Sequence, residues 1–219
     1  MLDAVIFDFD GIIVDSEPLH FSAFNEVLEP LKKTFTWEEY CETYIGFDDR
    51  DAFRTAFIKE GICVKDLNHL IKEKAAAFQK RVHDGKAKPL PGAVELIKSL
   101  PSNLPVALCS GALREDVDPI LKQLGIEAYF DVIVTANDTS RSKPDPAPYR
   151  LVLERLGIKN PKTAIAIEDT PAGILSAKEN GVKVLAVTNS YDRDYLFEAD
   201  AIIDSLEKTT ALSLEDMVG

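Results

Sequence analysis

The run Ala4-Val5-Ile6-Phe7, which ends in Asp8-Phe9-Asp10-Gly11, constrains this chain more than any other stretch. Consecutive apolar residues rich in β-branched types predict a strand buried on both faces, as in a parallel sheet. Such a strand has no packing use for two carboxylates, because a buried charge needs a partner. The acids therefore belong at its end. Residues two apart on a strand face the same side, so Asp8 and Asp10 point into one crevice, and Gly11 lets the chain turn there. Two carboxylates so placed can bind a hard divalent cation. One can also attack an electrophile while its neighbour gives and takes a proton.

The rest of the chain reads as two modules. From about residue 19 to 84 the pattern is helical: Phe24, Val27, Leu28 and Leu31 share a face, with His20 one turn earlier. Thr36-Trp37-Glu38-Glu39 has the form of a capping box, Asp48 can cap a third helix ending near Glu60-Gly61, and Leu67, Leu70, Ile71, Ala75, Phe78 and Val82 mark a fourth. From Pro89 onward strands alternate with helices. The strands are Pro105–Cys109, Asp131–Thr135, Thr163–Ile167, Lys183–Val187 and Ala201–Ile203. The helices are Ala93–Leu100, Val117–Leu124, Ala147–Leu156 and Gly173–Asn180, several of them stopping at a glycine. This alternation predicts an α/β fold: a Rossmann-like parallel sheet core with helices on both faces, formed by residues 1–15 and 86–219, with an α-helical cap domain (16–85) inserted after the first strand. Ligands of open parallel sheets bind beyond the carboxyl ends of the strands. Four strand ends then deliver Asp8 and Asp10, Ser110, the Thr135–Pro144 loop, and Glu168 with Asp169 to one place.

Charge and cysteine usage narrow the partners. A formal net charge of -12 argues against nucleic acid and means that local cations must hold any anionic substrate. Cys41, Cys63 and Cys109 form no Cys-x-x-Cys pair, which points to a reducing compartment. His20, His69 and His83 lack metal-ligand spacing, so zinc is not expected. No charged-then-apolar leader precedes Asp3, and no apolar run could span a bilayer. The expectation is a cytoplasmic protein without membrane partners. With no coiled-coil heptads or evident apolar patch, it is expected to be a monomer.

Asp8-Phe9-Asp10-Gly11, Ser110-Gly111, Lys143-Pro144-Asp145-Pro146 and Glu168-Asp169-Thr170-Pro171-Ala172-Gly173, in that order, resemble the motifs of the haloacid dehalogenase superfamily of aspartate-nucleophile phosphotransferases. The helical insertion is similar to the cap of its β-phosphoglucomutase-like and phosphoglycolate phosphatase-like branch. The resemblance covers essentially the whole chain. It implies that Asp8 forms an aspartyl-phosphate and that Asp10 protonates the leaving oxygen, then activates water. It implies Mg²⁺ held by Asp8, the carbonyl of Asp10 and Asp169, with Glu168 close by. Ser110, Lys143 and backbone amides near Phe9, Asp10, Gly11, Gly111 and Ala112 would hold the phosphoryl oxygens. In the cap, Gly46 lies where the family's specificity loop falls, Arg50 offers a cation for a second anionic group, and His20 matches a histidine that helps gate the general acid in the mutase-like branch. The chemistry suits these residue types, since Mg²⁺ and a lysine offset the repulsion between a phosphate dianion and a carboxylate nucleophile. Lys143 precedes Pro144, which biases it away from helix. Asp145 as N-cap and Pro146 at the first helical position then start the next helix, and Thr170-Pro171 does the same after Asp169.

Two departures weigh against a mutase. Ile45 and Asp49 stand where mutase-like members carry a lysine before the cap glycine and an arginine three after it. Ala112 and Leu113 replace a serine-lysine pair. The expected activity is therefore a Mg²⁺-dependent phosphatase of a small phosphorylated metabolite, such as a sugar phosphate or phosphoglycolate. A β-phosphoglucomutase-type mutase is the alternative. A non-enzymatic phospho-receiver is the remote one, since a receiver has no long helical insertion and no use for a general acid two residues after its aspartate.

Overall fold

The structure, a computed structural model, describes residues 1–44, 49–57, 64–85 and 87–219. Six parallel strands form one sheet: β1 (Ala4–Phe7), β4 (Val106–Cys109), β5 (Val132–Val134), β6 (Ala164–Glu168), β7 (Lys183–Val187) and β8 (Ala201–Ile203). Their order is β5-β4-β1-β6-β7-β8. Two short strands, β2 (Val14–Asp15) and β3 (Lys88–Pro89), pair antiparallel beside it. Between them in sequence lie α1 (Glu17–Leu28), α2 (Trp37–Thr43), α3 (Asp49–Phe57) and α4 (Val64–His83). The sheet helices are α5 (Ala93–Ser99), α6 (Arg114–Leu124), α7 (Ala147–Leu156), α8 (Pro171–Glu179) and α9 (Ala211–Glu215). The chain divides into two compact units, Met1–Asp15 with Lys88–Gly219, and Ser16–Ala87.

Strand order and handedness together assign the layers. From β1 the chain steps through α5 to β4 and through α6 to β5, then reverses through α7 to β6 and α8 to β7. Right-handed crossovers in opposite directions place α5 and α6 on one face and α7 and α8 on the other. The α7/α8 face is rich in small residues, Ala4, Ala107, Ala164, Ala166 and Ala186 beside Ile6, Val134 and Val184, which let Tyr149, Val152, Ile174 and Ala177 come close. The alternate positions, Val5, Phe7, Leu108, Ile165 and Ile167, carry the bulk on the other face and are equally buried. Each such side chain contributes roughly 1.5–3 kcal/mol relative to exposure. The order reverses beside β1, so its carboxyl end, flanked by β4 and β6, is the topological switch point at which open sheets bind ligands.

The helical unit has its own core of Phe24, Val27, Leu28, Tyr40, Tyr44, Ala52, Phe53, Phe57 and Leu67. Thr36 caps α2, its hydroxyl accepting from the Glu39 amide at 3.1 Å. The first helix is shorter than the periodicity predicts. It stops at Leu28, residues 29–31 form a 3₁₀ turn, and Leu31 is exposed. Pro30 is the reason: it has no amide to donate, and its ring clashes with the carbonyl one turn back. The predicted cap at Asp48 and helix end near Glu60-Gly61 lie outside the described residues. In the sheet unit, α6 begins at Arg114 rather than Val117. Periodicity marks only its apolar buried face, whereas Glu115 and Asp116 in the first turn suit the helix dipole and carry no hydrophobic signal. Pro146 precedes α7 as its N-cap rather than opening it, although the Asp145 carboxylate still accepts from the Ala147 amide at 2.9 Å. Among the described residues, no helix is long and apolar enough to cross a membrane.

Thr170 caps α8 directly after the acids of β6, its hydroxyl accepting from the Gly173 amide at 3.0 Å. Thr170→Ala is expected to lower stability by about 1 kcal/mol in urea denaturation, with Thr170→Ser restoring it. An unchanged midpoint for the alanine variant would show that the cap does not hold this junction.

Candidate active site

Sheet topology gathers the acids. Asp8 follows β1, Glu168 ends β6 and Asp169 follows it; all three are buried. Lys143 arrives from the connection between β5 and α7. Its ammonium donates to Asp8 Oδ1 at 2.7 Å, to Glu168 Oε1 at 2.6 Å and to the Cys109 carbonyl at 2.7 Å. An ammonium has three donors, and these three bonds use them all. Tyr149, fully buried on α7, donates its hydroxyl to the same Glu168 oxygen at 2.7 Å and sets its ring 5.1 Å from the Lys143 nitrogen. Glycine is required where the acids sit. A methyl group at Gly173 would overlap the Glu168 carboxylate, and one at Gly11 would overlap that of Asp169. Gly11 also has φ +77°, in the left-handed region.

The charges do not balance. Burial disfavours the ammonium of Lys143, but the adjacent Asp8 and Glu168 carboxylates outweigh it and hold the pKa well above the usual lysine value. Burial, then the charge of Asp8, pushes Glu168 up to about 7 against the opposing pull of Lys143. Burial, then Asp8 and Glu168, raises Asp169 well above the carboxylate range. One lysine thus leaves the cluster short of positive charge. Asp8, Glu168 and Asp169 each offer a carboxylate oxygen within 4.8 Å of the others. Asp169 Oδ1 is buried and has no hydrogen-bond partner among the described residues. A hard divalent cation fits this donor set: oxygen ligands, excess negative charge and an orphaned carboxylate oxygen.

The other expected site residues are placed as follows. Phe9 is buried, and its carbonyl accepts from the Ile12, Ile13 and Val14 amides, forming the turn that carries Asp10. Asp10 bridges to Val14 through its backbone. The Gly11 amide is committed to the Val14 carbonyl at 2.9 Å. Ser110 is buried just past β4, and its hydroxyl accepts from the Ala112 amide at 2.9 Å, so that amide is already engaged; Gly111 is exposed. Gly46 lies outside the described residues. His20 and Arg50 belong to the helical unit, where Arg50 is exposed.

His20 has a defined environment within that unit. Lys74, only 2% exposed, donates to His20 Nδ1 at 2.7 Å and to Asp49 at 2.5 Å. A lysine ammonium can only donate, so Nδ1 accepts and the neutral ring carries its proton on Nε2. Burial, then the charge of Lys74, lowers the His20 pKa well below its ordinary value. The ring stacks on Phe78 with centroids 4.2 Å apart.

Two functional candidates, Tyr149 and Ser190, stand outside the sequence motifs. Tyr149 sits at helical spacing with Val152 and Leu153, and a tyrosine on an apolar face needs a partner for its hydroxyl. Ser190 lies in the loop after β7, and its hydroxyl donates to Asp169 Oδ2. The strand-end rule that singles out Asp8 and Ser110 applies equally there, but Thr188-Asn189-Ser190 carries no charge to draw the eye.

Residues 5–187 match the model of the haloacid dehalogenase-like hydrolases. The chain is 34% identical over 206 residues to a phosphorylated carbohydrates phosphatase of Thermotoga maritima, covering 92% of this chain and 93% of the relative. It is 30% identical over 185 residues to a fructose-1-phosphate phosphatase of Escherichia coli, covering 84% and 95%. The crystal structure of CbbY from Rhodobacter sphaeroides in complex with phosphate superposes with a TM-score of 0.86 at 25% identity, over 99% of this chain and 100% of that one.

The raised carboxyls give the metal-free site a signed pH dependence. A folded-state pKa above the unfolded value means that the folded chain binds the proton more tightly, so that stability is lost as pH rises. For Glu168 the loss runs from the ordinary 4.5 to about 7. In EDTA, Glu168→Gln should therefore gain stability relative to the parent chain across that window, as read by urea denaturation at several pH values. A gap that stays constant or closes would refute the charge excess.

Proposed function

The chain belongs to the haloacid dehalogenase-like hydrolase family, and on that premise we propose that it dephosphorylates a small phosphorylated metabolite through an aspartyl-phosphate on Asp8, with Mg²⁺ as cofactor. It is a phosphoric monoester hydrolase. A sugar phosphate is the favoured substrate class, because relatives covering most of the chain are a phosphorylated carbohydrates phosphatase and a fructose-1-phosphate phosphatase. The observation that carries the mechanism is Asp8 itself, a buried carboxylate at the switch point with an ammonium 2.7 Å away and two further acids beside it.

In the proposed sequence an Asp8 oxygen forms a bond to phosphorus as the bond to the leaving oxygen breaks. Asp10 gives its proton to that oxygen and the alcohol departs. Asp10 then takes a proton from water, whose oxygen attacks the aspartyl-phosphate, releasing inorganic phosphate and restoring Asp8. On substrate binding Lys143 exchanges one of its three present bonds for a phosphoryl oxygen, Ser110 holds another, and the ammonium offsets the phosphoryl charge against Asp8. Asp8, the Asp10 carbonyl and Asp169 would hold Mg²⁺, with Glu168 close by, and the ion would supply further charge neutralisation for the transfer. Backbone around Phe9, Gly11, Gly111 and Ala112 frames the phosphoryl group. His20, Gly46 and Arg50 are assigned to substrate recognition on the sequence resemblance. A cytoplasmic setting is supported by the free thiols of Cys41 and Cys109. Mutase activity is disfavoured by Ala112 and Leu113 and by the phosphatase relatives.

Phosphate release from a panel of sugar phosphates and phosphoglycolate, with Mg²⁺ and with EDTA, tests this reading. Metal-dependent release is expected, falling about a thousandfold or more in Asp8→Asn and about 10²- to 10⁴-fold in Asp10→Asn. Release that survives EDTA, or an Asp8→Asn variant as active as the parent chain, would overturn it. Conversion of a sugar 1-phosphate to its 6-phosphate with little free phosphate would establish the mutase instead.

A further inference from the structure

Asp169 is held from one side only. Its Oδ2 accepts the hydroxyl proton of Ser190, while its Oδ1 is buried and has no hydrogen-bond partner among the described residues. Ser190 belongs to the loop that leaves β7, two strands from β1. That loop is tied down at both ends. Thr188 donates its amide to the Ile203 carbonyl at 3.0 Å, and Arg193 reaches the Ile202 carbonyl at 3.0 Å and Asp204 at 2.8 Å, so edge strand β8 fixes its base. Asn189 donates its side-chain amide to the Gly11 carbonyl at 2.7 Å and pins the tip to the turn that carries Asp10. An ideal Cβ built on Gly11 would lie only 2.9 Å from the Ser190 hydroxyl, so turn, loop and carboxylate are in close contact.

We propose that Ser190, steadied by Asn189, is a positioning residue that presets Asp169 for a divalent cation. The inference rests on the Mg²⁺-dependent reading above and adds to it a residue outside the four sequence motifs. A carboxylate has two equivalent oxygens and a rotatable bond. Beside Asp8 and Glu168, repulsion alone would swing it away from the acids it must share an ion with. A hydroxyl donor on Oδ2 removes that freedom, stabilises the ionised form and leaves Oδ1 as the ligand atom. Partners of this kind orient metal ligands, and their loss weakens metal affinity about 10- to 100-fold. Serine suits the place because a neutral donor brings no charge to compete with the ion, as a second lysine would.

The test is calorimetric titration of Mg²⁺ into the full chain and its Ser190→Ala, Ser190→Val and Ser190→Thr variants, without substrate. Threonine and valine have nearly the same shape and differ by the hydroxyl, so the pair separates the hydrogen bond from packing. The parent chain and Ser190→Thr should bind Mg²⁺ alike, with Ser190→Ala and Ser190→Val about 10- to 100-fold weaker. In phosphate release, the half-activating Mg²⁺ concentration should rise by the same factor, with substrate KM at saturating Mg²⁺ unchanged. Parent-like affinity in Ser190→Ala or Ser190→Val, or Thr as weak as Val, would overturn the role of Ser190 and leave the phosphatase reading standing. A parent chain that binds no Mg²⁺ would overturn both.

Discussion

Lys143 donates from one ammonium to Asp8, Glu168 and the Cys109 carbonyl, and so joins the ends of the three central strands. Without that charge, three buried carboxylates at the end of a parallel sheet would repel one another at high cost. With it the cluster persists but is still short of positive charge, as the raised pKa values of Glu168 and Asp169 show. That shortfall agrees with the proposed function. A site that is too negative for its own lysine is suited to a hard cation, and one that holds a carboxylate against an ammonium is suited to receive a phosphoryl group between them.

The fold exists to bring these strand ends together. Small residues on one sheet face let α7 and α8 approach closely, which lets Tyr149 reach Glu168 from below while Lys143 reaches it from the connecting loop. The two glycines nearest the acids, Gly11 and Gly173, mark where the backbone must give room to carboxylates. Thr170 then turns the chain from Asp169 into helix within a single residue. In each case the sequence rule is local, and its purpose becomes visible only at the switch point.

Much of this was legible beforehand. Parallel strands read from apolar runs, and their carboxyl ends led directly to Asp8, Ser110, Glu168 and Asp169. Where the structure departs from the hydrophobic pattern, a competing local effect intervenes: Pro30 ends α1 before Leu31, and the charged first turn of α6 carries no hydrophobic period. Side-chain hydrogen bonding was the least legible layer. Nothing in the linear pattern says that Lys143 is saturated, that the Ala112 amide is taken by Ser110, or that Lys74 is buried against His20 and Asp49. Tyr149 and Ser190 are not legible in the sequence, because uncharged donors at buried or strand-end positions have the pattern of ordinary packing and turn residues.

In the proposed mechanism Asp8 is the nucleophile whose carboxylate oxygen carries the phosphoryl group. The most direct test of this role is acid-quenched mass spectrometry of Asp10→Asn mixed with a turned-over sugar phosphate and Mg²⁺. Loss of the general acid/base should slow hydrolysis of the intermediate, and phosphate should then accumulate on the peptide that carries Asp8 and nowhere else. Turnover with no labelled peptide, or a label on any other residue, would contradict the account.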